Sequence, residues 1–266
     1  MRYRKGSLNL NNFEDKNMLQ FVADSRYVTH TQLFRFAQLY CYERNRPIFN
    51  WRIRRMVASG LVRKQVPSIL NGDALYSITR SGLQALERLG VYYLGATIDR
   101  EQDAHRYQVP HALEVNDIRL TLLIDNRLIH WIPESFIRIL NLSPATTYAK
   151  VYDGIASVLL QDRSVEFAIE YERTLKSPAK YEKIREAIES ERQVAVFLYL
   201  VPTYELLLGI TDVLYRMKQR VLFALVDEFK KDRLDTRVRD SWDRESSLLD
   251  VLAHMLPART NAQKVL

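Results

Sequence analysis

Two groups of residues in this chain could do chemistry. The first is acidic. Asp153 stands between Tyr152 and Gly154 ahead of the apolar run 156–160, and Glu170 and Glu172 close the run 165–172. Side chains two apart on a strand share a face, so the two glutamates face the same way at a strand end. A cluster of carboxylates repels itself. It must stay solvated, recruit a cation, or pair with bases nearby, and Arg173, Lys180 and Lys183 are close in sequence. The second group is basic. Asn50, Trp51, Arg52, Arg54 and Arg55 occur together, with Arg63 and Lys64 eight residues on. Arginines suit both phosphate oxygens and the edge of guanine, so this set points to duplex DNA.

The basic group needs a helix to carry it. In residues 47–59 the apolar Phe49, Ile53, Met56 and Val57 fall on one arc at about 100° per residue, leaving Trp51, Arg52, Arg54 and Arg55 on the other side or its flanks. Pro47 suits a first turn and Gly60 a C-terminal stop. Two short amphipathic helices are expected upstream, over 14–24 and from His30 onward with Thr29 as N-cap. Downstream, a strand near 61–66, an Asn71-Gly72 turn and a strand near 74–79 make a hairpin, and a closing helix starts near Arg80. That order predicts a winged helix-turn-helix over residues 1–95; a winged helix serving protein contact is the alternative.

Charge is distributed to match. The net charge of the 266 residues is +7, but residues 1–95 hold 15 basic and 6 acidic side chains while the rest holds 24 and 26. A basic front suits a polyanion. A single cysteine, Cys41, the lack of a signal-peptide pattern and the lack of an apolar run near ~20 residues imply a cytoplasmic protein without a membrane partner. No phosphate-cradling glycine loop is present, so nucleotide hydrolysis and dinucleotide redox chemistry lack support. The histidines show no metal-ligand spacing.

Residues 96–108 are expected to be a linker. From 109 to 230 the pattern is a helix, strands near 128–132, 156–160 and 165–172, a charged helix, a buried strand at 194–201, a helix and a strand at 221–226. This is a mixed-sheet α/β domain, and the whole chain is expected to be α+β. Residues 231–266 are expected to form a charged C-terminal extension with a short helix, whose apolar 248–256 patch offers a self-association surface.

This order, with Asp153 before one strand and Glu170-x-Glu172 ending the next, resembles the PD-(D/E)xK nuclease, or restriction-endonuclease-like, fold. The resemblance implies that Asp153 and Glu170 would hold Mg²⁺ and that a lysine would position water; Glu172 stands where that lysine is expected, and Tyr152 where a proline is. Lys180 on the following helix would then complete a catalytic set of Asp153, Glu170, Glu172 and Lys180. Over most of its length the chain is similar to the replication-relaxation family of plasmid and mobile-element proteins, through His111-Ala112-Leu113-Glu114-Val115-Asn116-Asp117, Tyr152-Asp153-Gly154, residues 167–174 and Lys180-Tyr181-Glu182-Lys183. That similarity implies a role in plasmid replication, mobilisation or their control, with replication or mobilisation proteins as partners. Two functions are therefore expected in competition. One is a sequence-specific, homodimeric, double-stranded DNA-binding protein with a silent nuclease-like domain and no cofactor. The other is a Mg²⁺-dependent nuclease targeted by its winged helix.

Overall fold

The computed structural model describes residues 9–67, 70–93, 108–143 and 147–255. The expected linker 96–108 lies outside them except for Gln108, as does the tail after Pro257. The chain divides into two compact units. One gathers the described residues of Met1–Ile124 and Pro133–Thr147, the other those of Asp125–Ile132 and Tyr148–Leu266.

The first unit opens with α1 (Glu14–Ser25), whose acids Glu14 and Asp15 sit in the first turn, where the helix dipole favours them. A two-residue strand, β1 (Val28–Thr29), leads into α2 (His30–Tyr40). Thr29 closes a capping box there: its hydroxyl accepts from the Gln32 amide at 3.1 Å, and its own amide donates to Gln32 Oε1 at 3.3 Å. Next comes α3 (Arg46–Ala58), started by the Asn45 side chain, which accepts from the Ile48 amide at 3.1 Å, and by Pro47 in its first turn. Gly60, at φ +70°, turns the chain out of it. β2 (Val62–Gln65) and β3 (Leu75–Ile78) pair antiparallel, and Asn71 and Gly72 between them hold φ of 47° and 87°. β1 adds to the free side of β3, giving the order β1-β3-β2. α4 (Arg80–Arg88) follows, capped by Thr79 onto the Gly82 amide at 3.0 Å.

Apolar side chains of α1, α2, α3, α4 and the hairpin form one core that includes Leu19, Phe21, Val22, Leu33, Phe49, Ile53 and Leu86. α5 (Gln108–Ile124) joins it through Leu120. Its Asn116 amide donates to the Tyr27 carbonyl at 2.7 Å, and Gln32 donates to Asp117 at 2.9 Å. A boundary at residue 95 is therefore not where the chain divides. α5 buries its apolar face and its amides among the N-terminal helices, and so belongs to their unit.

The second unit is built on a seven-stranded mixed sheet. Its strands are β4 (Leu128–Pro133), β5 (Gly154–Leu160), β6 (Arg163–Tyr171), β7 (Val196–Val201), β8 (Arg220–Leu225), β9 (Arg237–Asp240) and β10 (Glu245–Ser247), in the order β10-β9-β8-β7-β6-β5-β4. α6 (Glu134–Leu140), after β4, falls in the first unit. β5 and β6 form a tight hairpin in which Gln161 and Asp162, at φ 49° and 63°, take the left-handed pair that a two-residue turn requires. β6, β7 and β8 run parallel, joined through α7 (Pro178–Ser190) and α8 (Tyr204–Val213). All six residues of β7 are buried, as befits a central parallel strand.

Residues 231–255, expected as a charged extension with a short helix, also add two strands to the sheet. α9 (Val226–Asp232) and a 3₁₀ turn at Arg233–Asp235 lead into β9, which pairs antiparallel with β8 and with β10. α10 (Leu248–His254) buries Leu248 and Leu252 completely in its own unit, while Leu249 and Val251 of the apolar patch expected to face a second copy are half-buried.

Candidate nucleic-acid interface and acidic cluster

In the first unit, α3 is fixed from one side. Phe49, Ile53 and Met56 are buried, as their spacing predicts. The opposite face presents Ile48 and Trp51, 43% and 48% exposed, with Arg54 exposed one turn beyond Trp51 and Arg55 half-buried beside it. The Arg55 guanidinium carbon lies 4.3 Å from the Trp51 ring centroid, a cation–π contact that restrains a long flexible side chain. On β2, Arg63 is half-buried and Lys64 exposed.

Two of the expected DNA contacts point elsewhere. Arg52 turns back onto the unit: its Nη1 donates to Asp15 Oδ1 at 2.8 Å, and Glu43 and Glu14 oxygens lie 3.7 and 4.0 Å from other guanidinium nitrogens. At 100° per residue it sits on the flank of the apolar arc, within reach of three carboxylates, and their field outweighs solvation. Asn50 meets His30, its Oδ1 being 3.0 Å from Nε2, while His30 Nδ1 is 3.0 Å from the Tyr76 hydroxyl. Burial lowers the His30 pKa, which favours the neutral ring. Nε2–H then donates to Asn50, and Nδ1 accepts from Tyr76. The imidazole thus ties α3 to β3 from the start of α2.

In the second unit, the hairpin β5–β6 and the loop ahead of it set the acidic cluster. Asp153 Oδ2 accepts from the Tyr171 amide at 2.8 Å, which fixes it against the end of β6. Glu170 and Glu172 are both buried, 7% exposed. Their partners are lysines: Lys150 Nζ binds Glu170 Oε1, and Lys176 Nζ binds Glu172 Oε2. Burial pushes the Glu170 carboxyl above its ordinary range, Lys150 pulls it back, and Asp153 pushes it further up. Burial likewise lowers the Lys176 ammonium, against the pull of Glu170.

Lys180, the expected cation, is exposed on α7, as is Lys183. The charge of Lys180 contributes to lowering Lys176. Lys180 sits at the third position of α7, after a loop that brings Lys176 to the strand end first.

Sequence reasoning missed Lys150, Lys176 and the residue that places the first of them. Glu191 is buried at the end of α7. One of its oxygens accepts from the Ala149 amide and the Tyr152 hydroxyl, each at 2.9 Å, and the other from the amides of Arg192 and Gln193 at 2.8 and 2.7 Å. Tyr152 is therefore an anchor for the loop that carries Lys150 and Asp153. Gly154 completes that loop, because a Cβ there would lie 2.2 Å from the Trp131 ring. The signals available were a lysine three residues before Asp153 and another four after Glu172, neither part of a strand motif.

Among the described residues no group of three or more His, Cys, Asp or Glu side chains is placed to hold a metal ion. One oxygen of each carboxylate at this strand end is engaged within the unit, Glu170 by Lys150, Glu172 by Lys176 and Asp153 by the Tyr171 amide. No described helix is long and apolar enough to cross a membrane.

No protein-family model and no curated protein matches the chain. Among solved structures it is similar to the restriction endonuclease FokI bound to DNA, at 8% identity and a TM-score of 0.26, over 82% of this chain and 43% of that one. The chain thus spans less than half the length of that protein. The seven-stranded mixed sheet of the second unit is compatible with a restriction-endonuclease-like domain.

Proposed function

We propose that this chain binds double-stranded DNA through its first unit, read as a winged helix-turn-helix with α3 as the recognition helix and β2–β3 as the wing. The observation that carries this reading is the exposed face of α3, where Trp51, Arg54 and the Trp51-stacked Arg55 lie on the side opposite the core. Lys64 on β2 adds a second basic position, and the surplus of positive charge lies in this part of the chain. The second unit is read as a restriction-endonuclease-like domain whose acids are neutralised internally. The similarity to replication-relaxation proteins extends the reading to a cytoplasmic homodimer acting in replication, mobilisation or transcriptional control of a plasmid or mobile element.

The test is duplex binding by the full chain, read by fluorescence anisotropy. Arg54→Ala is expected to weaken binding by about 1–3 kcal/mol, as loss of a base-reading arginine does. Affinity is expected to fall linearly with salt on logarithmic axes, and Lys64→Ala to make that slope shallower by about one phosphate contact. Salt-independent binding, or an Arg54→Ala variant equal to the parent, rejects α3 as the reading element.

A Mg²⁺-dependent nuclease is the second reading, favoured by one observation: Lys150 meets Glu170 within the field of Asp153, so that a lysine and two acids share one strand end. Ion pairing within the unit is the arrangement present. The expected result is that supercoiled DNA stays uncut with Mg²⁺ or Mn²⁺. Cleavage that disappears in Asp153→Ala would establish the nuclease instead.

A further inference from the structure

We propose that α3 reads the 5-methyl group of a thymine within one or two base pairs of a guanine read by Arg54. The proposal rests on the DNA-binding reading above and adds to it what the surface selects. A helix face that meets a polyanion would be expected to be polar throughout, yet this one exposes two large apolar side chains, Ile48 and Trp51. In a B-form major groove the apolar feature offered at a base edge is the thymine methyl.

Ile48 lies in the first turn of α3, and the N-terminal residues of a recognition helix are the ones that reach base edges. Trp51 already holds the Arg55 guanidinium on its ring, so it serves as a wall beside that arginine and leaves Ile48 as the methyl contact. Ile48 and Arg54 are six residues apart, about 9 Å along the helix axis, and Trp51 to Arg54 is about 4.5 Å. A helix lying oblique in the groove projects those separations onto a few base steps of about 3.4 Å. The rival means of reading a base here, an amide bidentate to adenine, is weakened: Asn50 is half-buried and its oxygen is engaged by His30.

The experiment selects duplexes from a random-sequence pool with the full chain, then replaces each thymine of the selected site in turn with deoxyuridine, which removes only the methyl. One or two replacements are expected to weaken binding about three- to five-fold, the worth of one buried methyl. Ile48→Ala is expected to bind the thymine and uracil duplexes equally at that position. The Arg54→Ala variant is expected to keep the thymine preference while losing selectivity at a neighbouring guanine. Selected duplexes indifferent to every methyl, with Arg54→Ala still weakening binding, would overturn the methyl contact and leave DNA binding intact. A chain that enriches no duplex at all would overturn the underlying reading. The uracil series uses the unmutated protein, so its outcome does not depend on how a variant folds.

Discussion

Lys150→Met is expected to destabilise the second unit by about 3–5 kcal/mol, because it leaves the Glu170 carboxylate buried without its cation. The ion pair is not itself a large source of stability; the cost lies in orphaning one half of it. Urea unfolding of the full chain, with hydrogen exchange in β6 and β7 reporting on this unit, measures the loss. Adding Glu170→Gln to Lys150→Met should restore most of it, since a neutral amide tolerates burial better than a bare carboxylate. The same group gives a pH signature. Burial raises the folded-state pKa of Glu170 above its ordinary 4.5, so above that pH the unfolded chain has released a proton that the folded chain retains. Stability from this group is full below 4.5 and falls as pH rises toward the folded-state pKa. Glu170→Gln should flatten that decline. Lys150→Met should carry it to higher pH, because of the two ammonium groups that pull the pKa down only Lys176 remains. An unchanged midpoint in Lys150→Met, or a pH profile that Glu170→Gln leaves alone, rejects the assignment.

Elements with their own punctuation were legible from composition. Thr29 and Asn45 cap the helices expected of them, Asn71-Gly72 turns the hairpin, and the unbroken apolar run at β7 is buried on both faces. Elements defined by a partner were not legible. β1 is two residues long and exists because β3 offers it a free edge. β9 and β10 were hidden in a charged C-terminal extension because the two strands bury only one apolar residue between them, Val238, too few to show a strand period. α5 shows helical spacing, but nothing local says which unit its face will join.

The acidic cluster divides the same way. Its acids could be placed from strand period alone, because Glu170 and Glu172 repeat every two residues. Its cations could not. Lys150 and Lys176 reach the strand end along irregular loops, one anchored by Glu191 from the far end of α7. Spacing along a loop carries no direction, so the helix period made Lys180 readable while the lysines that pair with Glu170 and Glu172 were not. The basic face of α3 shows the complementary failure. Period places Arg52 on the flank of the helix, and the flank faces DNA or the unit according to which carboxylates stand there.

Arg52→Ala is accordingly expected to act on folding and not on DNA. Asp15 is buried at 5% exposure, and the guanidinium that meets it also lies within 4.0 Å of Glu14 and Glu43. Removing it leaves three acids facing one another, with the Asn11 amide, 3.1 Å from Asp15 Oδ2, among the remaining donors. A loss of about 3 kcal/mol in the stability of the first unit is expected. Arg52→Lys should recover part of it, since an ammonium keeps the charge but cannot fork toward several carboxylates. Binding is then measured at a temperature where circular dichroism shows the variant folded. There its affinity and salt slope should match the parent, whereas Arg54→Ala stays stable and loses affinity. The pair separates two arginines that lie two residues apart. A folded Arg52→Ala chain with parental stability and weakened binding would mean that Arg52 leaves Asp15 to meet the duplex, and the face of α3 that contacts DNA would then be wider by that residue.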